Sequence, residues 1–172
     1  MQQLKNAIHN GHFILDLVAS DLNTAIEATV KKMVEDGILA EAVSENVCNA
    51  LLKREQLAPT TIGHGVAVPH VYVEGITTQD VVFVRLNHPL NMGAPDGIPT
   101  QFVFFLLGPA GAAAAHLDTL AGIARLMSDD EFRYEIGIAK NVSEIEQALH
   151  RFETRAEPEL APTQSDISEG LT

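Results

Sequence analysis

The chain has 172 residues and a formal charge of −12, long enough for one domain with a substantial core. That acidity argues against nucleic acid or an anionic membrane surface as a partner and suits a basic protein instead. Apolar residues make up 46%, yet no run approaches the roughly 20 that span a bilayer, and the first residues hold no signal-peptide core, so a cytoplasmic protein without membrane insertion is expected.

Residues 1–13 are polar and read as a lead-in. Ile14 to Val18 is a short strand candidate. Ser20-Asp21 supplies an N-cap for a helix carrying Ile26, Val30 and Met33 on one face, and Gly37 ends it. A second helix runs from about Ala42 to Gln56, with Val43, Val47 and Leu51 spaced by four, and Pro59 closes it. Cys48 lies in that apolar pattern. As the single cysteine it excludes an internal disulfide, fits a reducing compartment and reads as buried and inert.

Thr60 to His64 is a turn-rich connection into Val66-Ala67-Val68, a brief buried strand. Pro69 lacks a backbone donor, so pairing should stop there and leave His70 where the sheet ends and a loop begins. Val81 to Leu86 is a strand with Val81, Phe83 and Arg85 on one face. Asn87 to Pro99 reads as an ordered loop. Gln101 to Leu107 is apolar on both faces and belongs at the centre of a covered sheet.

Pro109 to Ala115 reads as a small-residue loop. His116 to Met127 is an amphipathic helix with Leu117, Leu120, Ile123, Ala124 and Met127 inward. Ser128-Asp129 caps a helix holding Phe132 and Ile136. Ser143 with Glu146 forms a capping box for a last helix to about Phe152. Strands and helices are interspersed, so the fold class is α/β or mixed α+β, one sheet flanked by helices. The folded domain spans 14–152, and 153–172 is an acidic tail expected to be disordered.

Of the seven histidines, His9, His12, His88 and His150 lie in polar or terminal contexts. His64 and His70 flank one short strand. His116 opens a helix, where free amide donors and the helix dipole favour an anion. Two histidines could bind zinc, but no third or fourth ligand stands at a recognisable spacing, and Cys48 is not placed for it, so no metal is expected. No phosphate-binding glycine loop and no serine elbow are present, and no cofactor is expected. These residues leave two readings of His70: an imidazole nucleophile that accepts an anionic group, or a satisfied surface histidine.

Arg54-Glu55, followed by Thr61-Ile62-Gly63-His64-Gly65-Val66-Ala67-Val68-Pro69-His70, resembles the active-site segment of the phosphotransferase-system enzyme IIA proteins of the mannitol–fructose type, which include nitrogen-regulatory members. The resemblance spans about Phe13 to Phe152. It continues through Gly93-Ala94-Pro95-Asp96-Gly97, Phe102 to Leu107, His116-Leu117 and Ser128-Asp129-Asp130-Glu131-Phe132.

It implies a mixed sheet flanked by helices and a phosphoryl carrier. A histidine-containing phosphocarrier protein would donate the group to His70, with His116 as the second active-site histidine and Arg54 as the active-site arginine. The group would then pass to an enzyme IIB cysteine, or its presence would regulate a target protein. Phosphoryl transfer needs in-line positioning and charge neutralisation, which these three side chains can supply. Two positions depart from the family: His64 stands where Asn or an acid is common, and Val71 where a small residue is common. Val71 is expected to crowd the docking surface.

A second resemblance, carried by Val84-Arg85-Leu86, Phe102 to Pro109, Leu126 to Asp129 and Phe132-Arg133, is to the cytoplasmic domain of band 3-type anion exchangers. It implies the alternative of a binding module that regulates an anion or bicarbonate transporter.

Overall fold

The most apolar segment of the chain lies at the middle of one sheet. The computed structural model describes residues 5–6 and 12–156. Its strands are β1 (Phe13–Leu17), β2 (Thr61–Gly63), β3 (Val66–Ala67), β4 (His70–Val73), β5 (Asp80–Leu90) and β6 (Thr100–Pro109). Its helices among the described residues are α1 (Leu22–Glu35), α2 (Glu41–Leu57), α3 (Ala113–Met127), α4 (Asp130–Ile138) and α5 (Val142–Ala156). The sheet order is β1-β5-β6-β3-β2, and β4 also pairs with β6. The β1–β5, β3–β6 and β4–β6 pairs are parallel, whereas the β5–β6 and β2–β3 pairs are antiparallel. The sheet is therefore mixed.

Alternation along the strands builds a core on each face. Ile26, Val30 and Met33 of α1 and Val47 and Leu51 of α2 cover Val82, Val84, Val103, Phe105 and Leu107. Helices α3, α4 and α5 cover Val81, Phe83, Phe102, Phe104 and Leu106 on the other face. Burying one such side chain as fully as Phe105 contributes about 2 kcal/mol. Asp21 caps α1 by accepting from the Thr24 amide at 2.7 Å, and Asp129 caps α4 by accepting from Phe132 at 2.7 Å.

Several elements differ from the sequence expectation. Thr61 to Gly63 is a strand, not a plain connection, and it forms a hairpin with β3. Pro69 does not end the edge strand. Val66 pairs with Phe102 and His70 with Leu106, the same offset, so the ladder skips only Val68 and Pro69 and resumes in register. The missing donor costs one link, and the Pro69 carbonyl still accepts from the Leu106 amide at 2.9 Å. Strand β5 runs on to Leu90 past a register shift, so the loop begins only at Asn91.

Helix α3 starts at Ala113, three residues before His116, because alanines are the best helix formers rather than loop residues. Its buried face is His116, Thr119, Ile123, Leu126 and Met127, while Leu117 is 65% exposed and Ala124 also faces outward. The last helix is capped by Asn141, which accepts from the Glu144 amide at 3.0 Å. Glu144 reaches back to the Lys140 amide, so Ser143 lies inside the helix. That helix reaches Ala156, beyond Phe152. Most of the lead-in and residues 157–172 lie outside the described residues.

Candidate functional site

Strand β4 resumes after Pro69, and this sets the direction of the His70 side chain. Residues 66, 68, 70 and 72 share the face covered by α3. His70 is half-buried, and its Nδ1 lies 2.9 Å from the Val68 carbonyl oxygen. A carbonyl only accepts, so Nδ1 carries the hydrogen in the neutral ring and Nε2 keeps the lone pair.

Arg54 comes from the last turn of α2. Its guanidinium donates to the Ala58 carbonyl at 3.2 Å, which holds it near the helix end. The adjacent Glu55 is buried. It accepts from the Thr60 hydroxyl and, at 3.3 Å, from the Thr60 amide, fixing the turn into β2. Arg54 and His70 line one open cleft with Thr60, Ile62, Leu120 and Ala121. They are brought together although they lie sixteen positions apart on different elements.

His116 is not on that open surface. It is fully buried, and neither ring nitrogen has a partner at hydrogen-bonding geometry among the described residues. Burial first, then the charge of His70, hold its pKa below the ordinary value, while the backbone of Leu107 works the other way. His116 is therefore close enough to His70 to feel its charge, from a drier position behind the cleft.

Sequence reasoning did not single out three neighbours. Tyr72 packs on His116 with ring centroids 4.8 Å apart. Extending the strand past Pro69 would have placed it on the His70 face. Gly108, within a strand, marks a close approach by the His116 ring. Asp96 ties the loop after β5 to the β2–β3 hairpin by accepting from the His64 amide at 2.8 Å and the Ile98 amide at 3.1 Å. His64 is exposed in the hairpin turn and is not among the residues lining the cleft. Val71 is buried against α1 and α2, so it does not crowd the docking surface. Cys48 is half-buried, and burial followed by the charge of Glu27 pushes its thiol pKa up. Among the described residues, no cluster of three or more potential ligands could hold a metal, and no helix is long and apolar enough to cross a membrane.

The sheet order and its two helical layers define an α/β protein of the enzyme IIA type. The nitrogen regulatory protein IIA-Ntr of Neisseria meningitidis superposes with a TM-score of 0.72 at 28% identity, over 81% of this chain and 94% of that one. The mannitol enzyme IIA of Escherichia coli, solved in complex with phosphorylated mannitol enzyme IIB, shares the fold with a TM-score of 0.66 at 20% identity, over 82% and 95%. The nitrogen regulatory protein of Bradyrhizobium diazoefficiens is 34% identical over 143 residues, 79% of this chain and 94% of that protein.

Residues 6–151 match the family model for the phosphoenolpyruvate-dependent sugar phosphotransferase system, EIIA 2, and the chain belongs to that family. It stands among the phosphoryl carriers and phosphorylation-dependent regulators of that system. The transporter-module alternative finds no support in these relationships.

Proposed function

We propose that His70 Nε2 accepts a phosphoryl group from the phosphohistidine of a small phosphocarrier protein, and that the group then passes to an enzyme IIB cysteine or signals to a regulated target. The observation that carries this reading is the 2.9 Å approach of Nδ1 to the Val68 carbonyl. It fixes the neutral tautomer that leaves Nε2 free to attack.

In the step, the Nε2 lone pair forms the new N–P bond while the donor's N–P bond breaks, its electron pair returning to the donor imidazole. Nδ1 keeps its hydrogen and donates it to the Val68 carbonyl throughout, so the phosphorylated ring keeps its orientation. Arg54, on the wall of the same cleft, supplies a charge-assisted contact for the phosphoryl oxygens. His116 donates an N–H to the group from the buried side of the site. The cleft is open, as a site must be when both exchange partners are proteins. The relative whose structure was solved in complex with phosphorylated enzyme IIB supports the downstream partner.

The test is phosphorylation by a labelled phosphocarrier. His70→Ala removes the nucleophile and should abolish the label, which in the wild type should be acid-labile and base-stable. His116→Ala should slow labelling by about tenfold to a hundredfold without abolishing it. Label that survives in His70→Ala would overturn the assignment.

A further inference from the structure

Behind the cleft lies a socket whose role the transfer step leaves open. Tyr72 follows His70 by two residues on β4, so both side chains leave the same face. Across the ladder Tyr72 pairs with Gly108. A Cβ at Gly108 would stand 3.1 Å from both Cε1 and Nε2 of His116, and 3.5 Å from Cδ1 of Tyr72. The His116 ring thus rests on bare backbone with the tyrosine beside it, ring planes 38° apart. His70 meets the same tyrosine edge-on, at 6.3 Å between centroids.

A buried imidazole usually has its orientation fixed by a hydrogen bond. At His116 neither nitrogen meets full hydrogen-bonding geometry among the described residues and only the Leu107 backbone approaches the ring, so packing carries much of its orientation. Its packing partners include an aromatic ring and, next to it across the ladder, a residue without a side chain.

We propose that Tyr72 is a positioning residue for phosphoryl transfer: with Gly108 beside it across the ladder, its ring forms the socket that aims His116 at the phosphoryl group. The inference rests on the reading of His116 as the second histidine of the site. Tyr72 touches no reacting atom in this scheme, and its hydroxyl is not required. The groups that face His116 are His70 and Tyr72 from β4 and the backbone of Leu107 and Gly108 from β6. Its own helix carries Asp118 and Arg125, both exposed.

The experiment combines Tyr72→Leu, Tyr72→Phe and Gly108→Ala with and without His116→Ala. Two quantities are read: the transfer rate from phosphocarrier across mildly acid to mildly alkaline pH, and the titration of the His116 ring by nitrogen–proton correlation NMR. Tyr72→Leu should slow transfer by about tenfold, the scale of one aromatic contact. It should also move the His116 titration and shift the pH profile with it. Tyr72→Phe keeps the ring and should restore both. Gly108→Ala places a methyl against the imidazole and should act like Tyr72→Leu.

With His116→Ala in place, Tyr72→Leu should cost nothing further. Losses that add, or an unmoved His116 titration in Tyr72→Leu, would overturn the proposal. If Tyr72→Leu does not fold, Gly108→Ala is judged by the same two readings. The His70→Ala labelling test stands apart: its failure would overturn the transfer scheme, while the titration would still decide whether the socket orients His116.

Discussion

The Asp96 carboxylate and the His64 amide, 32 residues apart, meet at 2.8 Å, and through them the loop after β5 holds the hairpin that leads to the candidate site. The same carboxylate accepts from Ile98, and these amide donors hold its pKa below the ordinary value of 3.8. A carboxyl with a depressed folded pKa contributes stability that is complete above the unfolded value and is lost as pH falls through the folded one. Asp96→Ala should therefore lower the denaturant midpoint at neutral pH, and the gap from wild type should shrink as pH falls below 3.8. A gap that stays constant with pH would show that the carboxylate charge is not what matters.

His64 occupies the hairpin turn with φ of 56°, followed by Gly65 at 73°, the pair of left-handed residues that a two-residue type I′ turn demands. Glycine adopts this conformation freely and asparagine tolerates it, whereas histidine is strained there. His64→Asn should raise stability by about 0.5–1 kcal/mol in denaturant unfolding, with the labelling rate unchanged. The strain is local to the hairpin turn, and His64 is not among the residues lining the cleft.

Arg85 is buried on the core face of β5 and donates to the carbonyls of Ile136 at 3.0 Å and Ala139 at 2.6 Å, closing the end of α4. It also pairs with Asp16 at 3.0 Å, a carboxylate largely open to solvent. Arg85→Ala leaves two buried carbonyls without a donor and should cost about 3 kcal/mol. Asp16→Ala removes a mostly exposed partner and should cost less than about 1 kcal/mol. Equal losses in equilibrium unfolding would assign the stabilisation to the ion pair instead.

His116 titrates below its ordinary value of 6.5 when folded, because burial disfavours its charged form. The unfolded chain therefore takes up a proton that the folded chain refuses. Stability should fall as pH drops below 6.5 and level off below the folded pKa. In His116→Gln this part of the slope should vanish. The check is unfolding free energy measured across mildly acidic pH for both proteins, and parallel slopes would contradict it.

Much of this was readable from local pattern. The spacing of Ile26, Val30 and Met33, the Asp21 and Asp129 caps and the two-sided apolarity of Phe102 to Leu107 each depend on neighbours a few residues away, and each appears in the structure where it was expected. The ordered motifs around His70 likewise pointed to the enzyme IIA family. Misplaced boundaries had physical causes. A proline deletes one donor without ending a strand whose partner continues, and an alanine run begins a helix although it looks like a loop.

The sequence by itself determined the element types, the central strand and the family, because periodicity, capping and contiguous motifs are short-range properties. Only the tertiary structure decided which face His70 presents, that Arg54 joins it in one open cleft, and that His116 sits dry against Tyr72 over Gly108. Those relationships depend on the register between β4 and β6 and on how α2 and α3 dock on the sheet. Register and docking are settled by long-range pairing and burial, which no local window of residues contains.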